Sequence, residues 1–380
     1  MNIVIAMDSF KGSISSIEGS QAILEGIHDV NPDAQVTSLP LADGGEGTVD
    51  AVVHATSGEY VKTKVTGPLH NKVNAKYGIT GDGKTAVIEV AEACGLPLVQ
   101  EEQRNPLLTT TYGVGELIRH AMDNGCRHFV IGLGGSATND AGVGMLQALG
   151  AKFYNDNGNE ASLGGRVLEE INRIDLLKVD SLIKECTFKV ACDVNNPLYG
   201  ENGAANIFGP QKGATEEIVK ELDRGLRHFA EVVEKELNLD IHSEPGSGAA
   251  GGLGAAFSGF LKGTLESGVE LILDLINIEQ YFDDCDLVIT GEGKLDRQTS
   301  MGKVPVGVAK RAKAYNIPVI ALAGAVNQDE LQLNDAGIAG CFSIIQSPIT
   351  IREAMDREVT YQNLKFTTSQ IINLFKAMKK

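Results

Sequence analysis

The placement of five short apolar runs is the feature that most limits the folds open to this chain. Two runs lie near the start and three near the end: Asn2–Met7, Gln35–Leu39, Leu287–Thr290, Pro318–Leu322 and Cys341–Ile345. Continuous apolar runs of this length are typical of strands that are buried on both faces of a parallel sheet. Segments with helical spacing, Ser16–Val30 and Val304–Tyr315, lie between neighbouring runs. The pattern predicts an α/β fold with a doubly wound, flavodoxin-like parallel sheet domain that a second domain interrupts.

The middle of the chain has a different pattern and predicts a mixed α/β insertion. Three closely spaced β-rich runs, Val61–Val65, Val73–Ile79 and Thr85–Val90, are joined by turn residues, which favours antiparallel pairing. Two consecutive domains would leave the first two strands of the chain without parallel neighbours, so we prefer an insertion. The expected division is a discontinuous domain of residues 1–66 and 281–380 and an inserted domain of residues 67–280.

Composition and charge narrow the class of function. Acidic residues outnumber basic ones by 50 to 33, which gives a formal net charge of -17. A field of this sign repels phosphate backbones and anionic lipid, so we expect neither a nucleic-acid nor a membrane partner. An anionic small substrate stays compatible, because lysines and backbone amides can reverse the sign locally. The six cysteines form no CxxC pair and no basic leader opens the chain, which predicts a cytoplasmic protein with reduced thiols.

One match to a phosphate-binding motif is rejected on its context. Residues Gly78–Thr85 satisfy the P-loop pattern GxxxxGK[ST]. That motif works because a helix follows the loop, and the free N–H groups and dipole of the helix hold the phosphates. Here the β-rich run Ala86–Val90 follows instead. We therefore predict that Gly81–Gly83 is a hairpin turn.

Two polar segments follow the first two predicted strands, at the edge of an α/β sheet where ligands bind. The first, DSFKGS at residues 8–13, offers Asp8 for a metal or a hydroxyl, Ser9 as a cap or contact, and Lys11 against anionic charge. The second, ADGGEGT at residues 42–48, adds Asp43 among three glycines. Each segment alone is also typical of an ordinary capped turn. Their convergence at one edge is what favours a site.

The segment GLGGSATND, residues 132–140, follows the apolar run Phe129–Leu133 and combines glycines with hydroxyl and amide side chains. Before a helix, such a loop is typical of an anion nest. The loose GxGxxA match also suggests a nicotinamide dehydrogenase, but no acidic residue about twenty positions further on suits a ribose contact. The candidate phosphate-binding residues are Gly134, Gly135, Ser136, Thr138 and Asn139.

Two later segments carry further candidates. Asp193 follows the run Phe188–Cys192 and is either a fixed general base, a metal carboxylate or a helix cap. Residues 290–305 alternate acidic and basic groups in a predicted glycine loop, which is the strongest indication of function in the chain. The candidates there are Glu292, Asp296, Arg297 and Lys303. The segment FGPQKGA adds Lys212, and the small residues at 246–256 are better explained by close helix packing.

Together these segments resemble the bacterial type I glycerate kinases. The shared motifs, in chain order, are DSFKGS, ADGGEGT, VTGPL, GLGGSATND, ACDVNNPL, IFGPQKGA, GAAGGLGAA, TGEGKLDRQT and GKVPVGVA. The resemblance implies an enzyme that moves the γ-phosphoryl group of ATP to D-glycerate with Mg²⁺, in a cleft between two α/β domains. Met7 stands where the family usually has Pro, and Ala141 replaces the first Gly of a common NDGG, which affects backbone shape more than chemistry.

Phosphoryl transfer needs positioning and cancellation of charge more than covalent work, and the candidate residues supply both. The expected roles are catalytic for Lys11, Asp193 and Asp296, with one of the two aspartates as base; nucleotide-binding for Gly134, Gly135, Ser136, Thr138 and Asn139; substrate-binding for Asp8, Ser9, Arg297 and Lys303; and metal-binding for Asp43 and Glu292. The resemblance alone favours 2-phosphoglycerate as product over 3-phosphoglycerate. A non-catalytic protein that binds small acids is the remaining alternative, and a homo-oligomer stays open.

Overall fold

The computed structural model describes residues 1–179, 181–300, 302–327 and 333–378. The chain divides into two compact units. The first unit consists of residues 1–43, 50–57 and 269–380, and the second of residues 44–49 and 58–268. Among the described residues, none of the helices combines the length and the apolar character that crossing a membrane requires.

Both units combine strands with helices. Within the described residues, the strands are β1 Asn2–Met7, β2 Gln35–Pro40, β3 Glu59–Thr66, β4 Lys72–Ile79, β5 Thr85–Glu89, β6 His128–Gly132, β7 Lys152–Tyr154, β8 Arg173–Asp175, β9 Thr187–Ala191, β10 Thr264–Glu266, β11 Leu287–Leu295, β12 Val319–Val326 and β13 Ile338–Ser343. The helices are α1 Ser16–Val30, α2 Thr48–Ala55, α3 Ala91–Cys94, α4 Tyr112–Asp123, α5 Val143–Ala148, α6 Ala204–Phe208, α7 Glu216–Leu237, α8 Ala249–Ala255, α9 Gly268–Ile276, α10 Arg297–Ser300, α11 Val304–Lys313, α12 Ile351–Ala354 and α13 Arg357–Met378.

The first unit is built on a five-stranded sheet in the order β13-β12-β11-β1-β2. Every neighbouring pair is parallel; for example, Ile3 of β1 lies opposite Leu287 of β11 on one side and Val36 of β2 on the other. Renumbered within this unit, the order is the 2-1-3-4-5 of flavodoxin-like sheets. The predicted α/β fold class is confirmed. Its consequence for function is that the carboxyl ends of β1, β2 and β11 lie side by side.

Helix α1 forms where its sequence supplies both a cap and an apolar face. The Ser15 hydroxyl accepts from the Glu18 N–H, and the Glu18 carboxylate accepts from the Ser15 N–H, which is a capping box. The buried face of α1 packs with β1 and α13 in one apolar cluster, which includes Ile23, Ile27 and Leu364. Each such side chain stabilises the fold by about 1.5–3 kcal/mol when fully buried. This packing holds the carboxyl end of β1 in place.

The second unit contains a six-stranded sheet in the order β10-β9-β6-β5-β4-β3. The β3–β4 and β4–β5 pairs are antiparallel, whereas the β5–β6, β6–β9 and β9–β10 pairs are parallel. The predicted hairpin is confirmed, since Ile79 pairs with Ala86 across the turn that contains Gly83. The Asp82 carboxylate accepts from the Thr80 hydroxyl and the Lys84 N–H and thereby stabilises the turn.

The prediction of a glycine loop directly after Thr290 is wrong, because β11 continues to Leu295. The added part pairs with β12 in parallel register, with Glu292 opposite Ala323 and Lys294 opposite Ala325. Glycine weakens a strand when local propensity alone decides, but a partner strand that supplies the hydrogen-bond ladder overrides that preference. Glu292 is therefore held on a sheet strand, where its position is better defined than it would be on a loop.

Candidate active site

The first unit gathers four charged residues at the carboxyl ends of β1, β2 and β11, and we call them the charge cluster: Asp8, Lys11, Asp43 and Glu292. The Lys11 Nζ lies 2.8 Å from the Asp43 Oδ2. Asp8 is 2% exposed, its N–H donates to the Gly291 carbonyl at 2.9 Å, and its Oδ1 accepts from the Ser9 N–H at 2.6 Å. Asp8 and Asp43 thus share one edge of the sheet.

The surroundings of Asp8 make its carboxyl a proton acceptor near neutral pH. Burial raises its pKa, the negative charge of Asp43 and, more weakly, of Glu292 raises it further, and Lys11 and the Ser9 N–H act in the opposite direction. The result is a pKa of about 7. Burial lowers the pKa of Lys11, but attraction to Asp43, Asp8 and Glu292 outweighs it and raises that pKa overall. Lys11 therefore stays protonated beside a carboxyl that titrates.

Glu292 is the second buried carboxyl of the cluster, with 6% of its surface exposed. Its Oε1 accepts a short hydrogen bond from the Thr299 hydroxyl. Burial raises the pKa of Glu292, Thr299, Lys303 and Lys11 lower it, and Asp296 raises it. Lys303 and Asp296 therefore act electrostatically on the cluster. Thr299 lies in the polar segment 290–305 but was given no role from the sequence, since only the fold brings its hydroxyl, on α10, to Glu292 on β11.

The other predicted residues of this unit lie around the cluster. The Ser9 hydroxyl is 3.3 Å from the Asp8 Oδ1. Asp296 is half-buried and pairs with Lys294 at 3.3 Å. Arg297 is exposed at the first residue of α10, and Lys303 is half-buried at the cap position before α11. Arg297 and Lys303 are therefore basic side chains that a small anion can reach.

In the second unit, the predicted glycine loop has an exposed front and a buried rear. Gly134 and Gly135 are exposed, whereas residues 136–140 are buried. The loop backbone pairs with the segment after α3, since Leu96 N–H donates to the Gly135 carbonyl at 2.9 Å and Ala137 N–H donates to the Cys94 carbonyl at 2.8 Å. The exposed glycines allow a ligand to approach the backbone closely, because they carry no side chain.

Asp140 fixes the rear of this loop, a role that the sequence did not indicate. Its carboxylate is 1% exposed and accepts from the Thr111 N–H at 2.8 Å, the Thr111 hydroxyl at 2.9 Å and the Gly142 N–H at 3.2 Å. Burial raises its pKa and these hydrogen bonds act against that shift. Because one carboxylate joins Thr111, just before α4, to Gly142, just before α5, it holds the rear of the loop in place.

The sequence predicts a helix over Ala141–Leu149 after the loop, but α5 begins at Val143, which corrects the expected start. Ala141 has φ +50 and Gly142 has φ +69, and neither value fits a right-handed helix. The Ala141 N–H donates to the Gly251 carbonyl at 3.0 Å. A Cβ on Gly251 would lie 2.0 Å from the Thr138 carbonyl oxygen. Close backbone packing thus explains glycine at this position of the 246–256 segment.

We expect Ala141→Gly to raise the free energy of unfolding by about 0.5–1 kcal/mol. An alanine in the left-handed region costs about 1–2 kcal/mol, and glycine removes this cost. The net gain is smaller, because the unfolded state of the glycine variant is more flexible and loses more entropy on folding. Scanning calorimetry would measure the change. Ala121→Gly is the control; because Ala121 lies inside α4 with ordinary helical surroundings, it should lose stability instead. A loss of stability in Ala141→Gly would contradict the interpretation.

Lys212 is the clearest residue that the sequence prediction left out. It lies in the short 3₁₀ turn Pro210–Lys212, is 3% exposed, and donates from Nζ to the Ser136 hydroxyl at 3.0 Å and to the Thr138 carbonyl at 2.6 Å. Burial lowers its pKa to about 8, whereas Cys94 and Asp140 act in the opposite direction. The motif FGPQKGA displayed the lysine, but no sequence pattern shows that it is buried beneath a loop 76 residues away.

Asn139 and Asp193 show two different outcomes for predicted residues of this unit. Asn139 is 1% exposed, and neither its Nδ2 nor its Oδ1 has a hydrogen-bond partner within the described part of the chain. A buried amide without hydrogen-bond partners costs about 1–3 kcal/mol, and a bound ligand that supplied those partners would remove this cost.

Asp193 is exposed, and its Oδ1 accepts at 3.0 Å from the N–H of Gly268, the first residue of α9. This contact is the helix-cap alternative.

Comparison with known proteins decides the family. The family model described as the glycerate kinase family matches residues 3–376. The chain belongs to the glycerate kinase family. A protein of Escherichia coli (strain K12) named glycerate 2-kinase is 53% identical over 354 residues, which cover 93% of each chain. A protein of Bacillus cereus named glycerate kinase is 48% identical over 99% of this chain and 98% of its own length.

The solved structures agree with this assignment. The crystal structure of a candidate glycerate kinase 2 from Salmonella typhimurium LT2 matches with a TM-score of 0.90 at 46% identity, over 100% of this chain and 99% of that one. The chain of the glycerate kinase family described here is therefore an enzyme, a kinase and transferase. The dehydrogenase and the non-catalytic binding protein, which the sequence left as alternatives, are set aside.

Proposed function

We propose that this member of the family is a type I, ATP-dependent D-glycerate kinase that forms 2-phosphoglycerate and ADP. The observation that carries the proposal is the charge cluster, in which a buried carboxyl with a pKa of about 7, Asp8, lies within electrostatic reach of the protonated Lys11. A base that titrates near the working pH is suited to accept a hydroxyl proton. The name of the Escherichia coli relative, glycerate 2-kinase, supports the 2-position.

In the proposed reaction, a hydroxyl oxygen of glycerate bonds to the γ-phosphorus and the bond from that phosphorus to the β–γ bridging oxygen breaks. ADP takes the electron pair of the broken bond, and the hydroxyl proton passes to a carboxylate of the enzyme. Lys11 would stabilise negative charge on the phosphoryl group as it moves, as cationic side chains do in other kinases. Arg297 or Lys303 would pair with the carboxylate of glycerate.

The identity of the base stays a proposal with three candidates. Asp193 and Asp296 were predicted from sequence, and Asp8 was predicted to bind substrate. The contacts favour Asp8, because Asp193 is bonded to the start of α9 and Asp296 pairs with Lys294. A nearby cation or a helix N-terminus favours the charged form of a carboxylate and so makes it a weaker base. Asp8 has no cation bonded directly to it among the described residues.

The glycine loop of the second unit would hold the nucleotide phosphates. Gly134 and Gly135 leave the backbone open, Ser136 supplies a hydroxyl, and the unpartnered amide of Asn139 supplies a donor and an acceptor. The Thr138 hydroxyl lies 3.9 Å from the Cys94 sulfur, so its side chain is directed towards the protein interior. We therefore expect Thr138 to act through its backbone.

The resemblance also implies Mg²⁺, and the carboxylates of the charge cluster fit it as ligands. Among the described residues there is no group of three or more His, Cys, Asp or Glu side chains arranged to hold a metal ion. Mg²⁺ does not require such a group, since it usually binds through one or two carboxylates, with phosphate oxygens and water. Asp43 and Glu292 would hold the ion, which when bound neutralises charge on the phosphates. Burial of Glu292 keeps that carboxylate poorly solvated and so favours a cation.

The test is to incubate the protein with MgATP and D-glycerate and to follow the products by phosphorus NMR. A 2-phosphate couples to one carbon-bound proton and gives a doublet, whereas a 3-phosphate couples to two and gives a triplet. We expect ADP and a doublet. A triplet would replace the 2-position by the 3-position, and ATP that stays intact, or ADP formed without an organic phosphate, would overturn the proposed function. The Asp8→Asn variant serves as the matched inactive control.

A further inference from the structure

Lys212 places a positive charge where a protein rarely tolerates one. The side chain is 3% exposed, and the two acceptors of its ammonium, the Ser136 hydroxyl and the Thr138 carbonyl, are both neutral. No carboxylate of the described residues forms an ion pair with its Nζ. Asp140 and Cys94 are the titratable groups that act electrostatically on it, but they do not offset the effect of burial, which still lowers its pKa. Burial of a cation that has no directly bonded counter-ion is costly, and a solvent-exposed lysine would avoid the cost. A structural purpose alone would be met by a neutral donor of similar length.

The contact with Ser136 determines what that hydroxyl can do. A serine hydroxyl has one proton to donate and two lone pairs that can accept. Here one lone pair accepts a hydrogen bond from the Lys212 ammonium. Within the described part of the chain, Ser136 has no acceptor for its own proton. A hydroxyl that accepts from a cation is also polarised into a better donor. Ser136 therefore offers its proton to a ligand beside the exposed Gly135.

The third hydrogen of the Lys212 ammonium has no acceptor among the described residues. Lysine carries three donors, and two have acceptors in the described residues. The Thr138 carbonyl accepts the second hydrogen of the ammonium. A Cβ on Gly251 would lie 2.0 Å from this carbonyl oxygen, so the backbone of Gly251 packs closely against it. The loop Gly134–Asn139 is thus fixed at two points by one charged group.

We infer that Lys212 is a positioning residue for nucleotide binding: its ammonium fixes Ser136 and Thr138 so that the Ser136 O–H and the lysine charge are presented to a phosphate oxygen at the Gly134–Asn139 loop. The inference rests on the proposed use of ATP at this loop. A purely structural lysine would affect the stability of the loop but not its affinity for nucleotide. A positioning lysine links nucleotide affinity to its own protonation, and that difference is measurable.

The first experiment is the pH dependence of the KM for ATP, with glycerate saturating. Because burial lowers the pKa of Lys212 to about 8, the wild-type KM for ATP should rise as pH increases from 7 to 9, while Lys212 loses its proton. In Lys212→Met the KM for ATP should be about tenfold or more above wild type at pH 7 and should no longer change between pH 7 and 9. The KM for glycerate should change by less than about twofold.

The second experiment is a double-mutant cycle with Ser136. Ser136→Ala alone should raise the KM for ATP by about fivefold to tenfold, and the double variant Lys212→Met/Ser136→Ala should be no worse than Lys212→Met. Titration calorimetry with ADP, without glycerate, should show the same order of affinities without turnover. Lys220→Met removes an exposed lysine of α7 and is the matched control. If Lys212→Met does not fold, the KM for ATP of Ser136→Ala and the pH dependence of the wild-type KM for ATP still test the inference.

The outcomes separate this inference from the proposed function. A Lys212→Met variant with a lower melting temperature but an unchanged KM for ATP and an unchanged pH profile would overturn the positioning role and leave the kinase activity standing. Additive effects of the two substitutions would also overturn it. A wild-type protein that neither binds ADP nor phosphorylates glycerate would instead remove the proposed function itself.

Discussion

At pH 8, Asp8→Asn is expected to make the protein more stable and nearly inactive at once. The free energy of unfolding should increase by about 2–4 kcal/mol, because the variant no longer has to bury a charged carboxylate beside Asp43 and Glu292. The asparagine keeps the size of the side chain and an oxygen that can accept from the Ser9 N–H. Replacing a functional residue often stabilises an enzyme, because active sites keep charged groups in positions that destabilise the fold.

The pH dependence of this gain follows from the direction of the shift. The pKa of Asp8 is about 7 in the folded protein against an ordinary value of 3.8. Between these two pH values the folded state binds more protons than the unfolded state, so wild-type stability falls as pH rises. The difference between variant and wild type should therefore be smaller at pH 5 than at pH 8.

Urea unfolding at both pH values, with EDTA present, measures the effect. Asp33→Asn replaces an exposed aspartate of the same unit and should change stability little at either pH. Equal stability of wild type and Asp8→Asn at pH 8 would show that Asp8 is not a destabilised carboxyl.

The activity of the same variant tests Asp8 as the base. We expect turnover to fall by about 10³-fold or more, and the wild-type kcat/KM for glycerate to rise with pH as Asp8 becomes ionised. The variant should lose this pH dependence along with its activity. If Asp193→Asn or Asp296→Asn removed the pH dependence and Asp8→Asn kept it, the base would be the residue predicted from sequence.

The second large effect is expected from Lys11→Met, which should lower kcat by about 10³-fold while leaving the fold intact. Removing one cation that stabilises a moving phosphoryl group typically costs two to five orders of magnitude in rate. The side chain of Lys11 is 56% exposed and that of Asp43 is 13% exposed, and an ion pair that solvent reaches on one side contributes about 1 kcal/mol. Stability should thus change far less than turnover.

Steady-state kinetics and urea unfolding on the same preparation separate the two effects. Lys310→Met, an exposed lysine of α11, is the control for loss of a surface charge. Lys11→Arg should restore part of the rate, since it returns the charge in a different shape. Wild-type turnover in Lys11→Met would remove Lys11 from the reaction.

The sequence predicted the elements of the first sheet well because their signal is local. The apolar run Asn2–Met7 is strand β1 with the same bounds, and the helical pattern Ser16–Val30 is helix α1. The hairpin at Gly81–Gly83 could be separated from a P-loop because only the next few residues mattered. Strand β11 was predicted too short, because its last residues depend on pairing with β12 and not on their own propensity.

By itself, the sequence determined the α/β class, the polar segments at the carboxyl ends of the strands, and the resemblance to a kinase family. The tertiary structure decided which of those polar groups are chemically unusual. Asp8 acquires a pKa near 7 through burial beside groups 35 and 284 positions away along the chain, and Lys212 is buried by a loop 76 residues earlier. Desolvation and charge–charge interactions depend on distance in space, and no local sequence pattern encodes that distance.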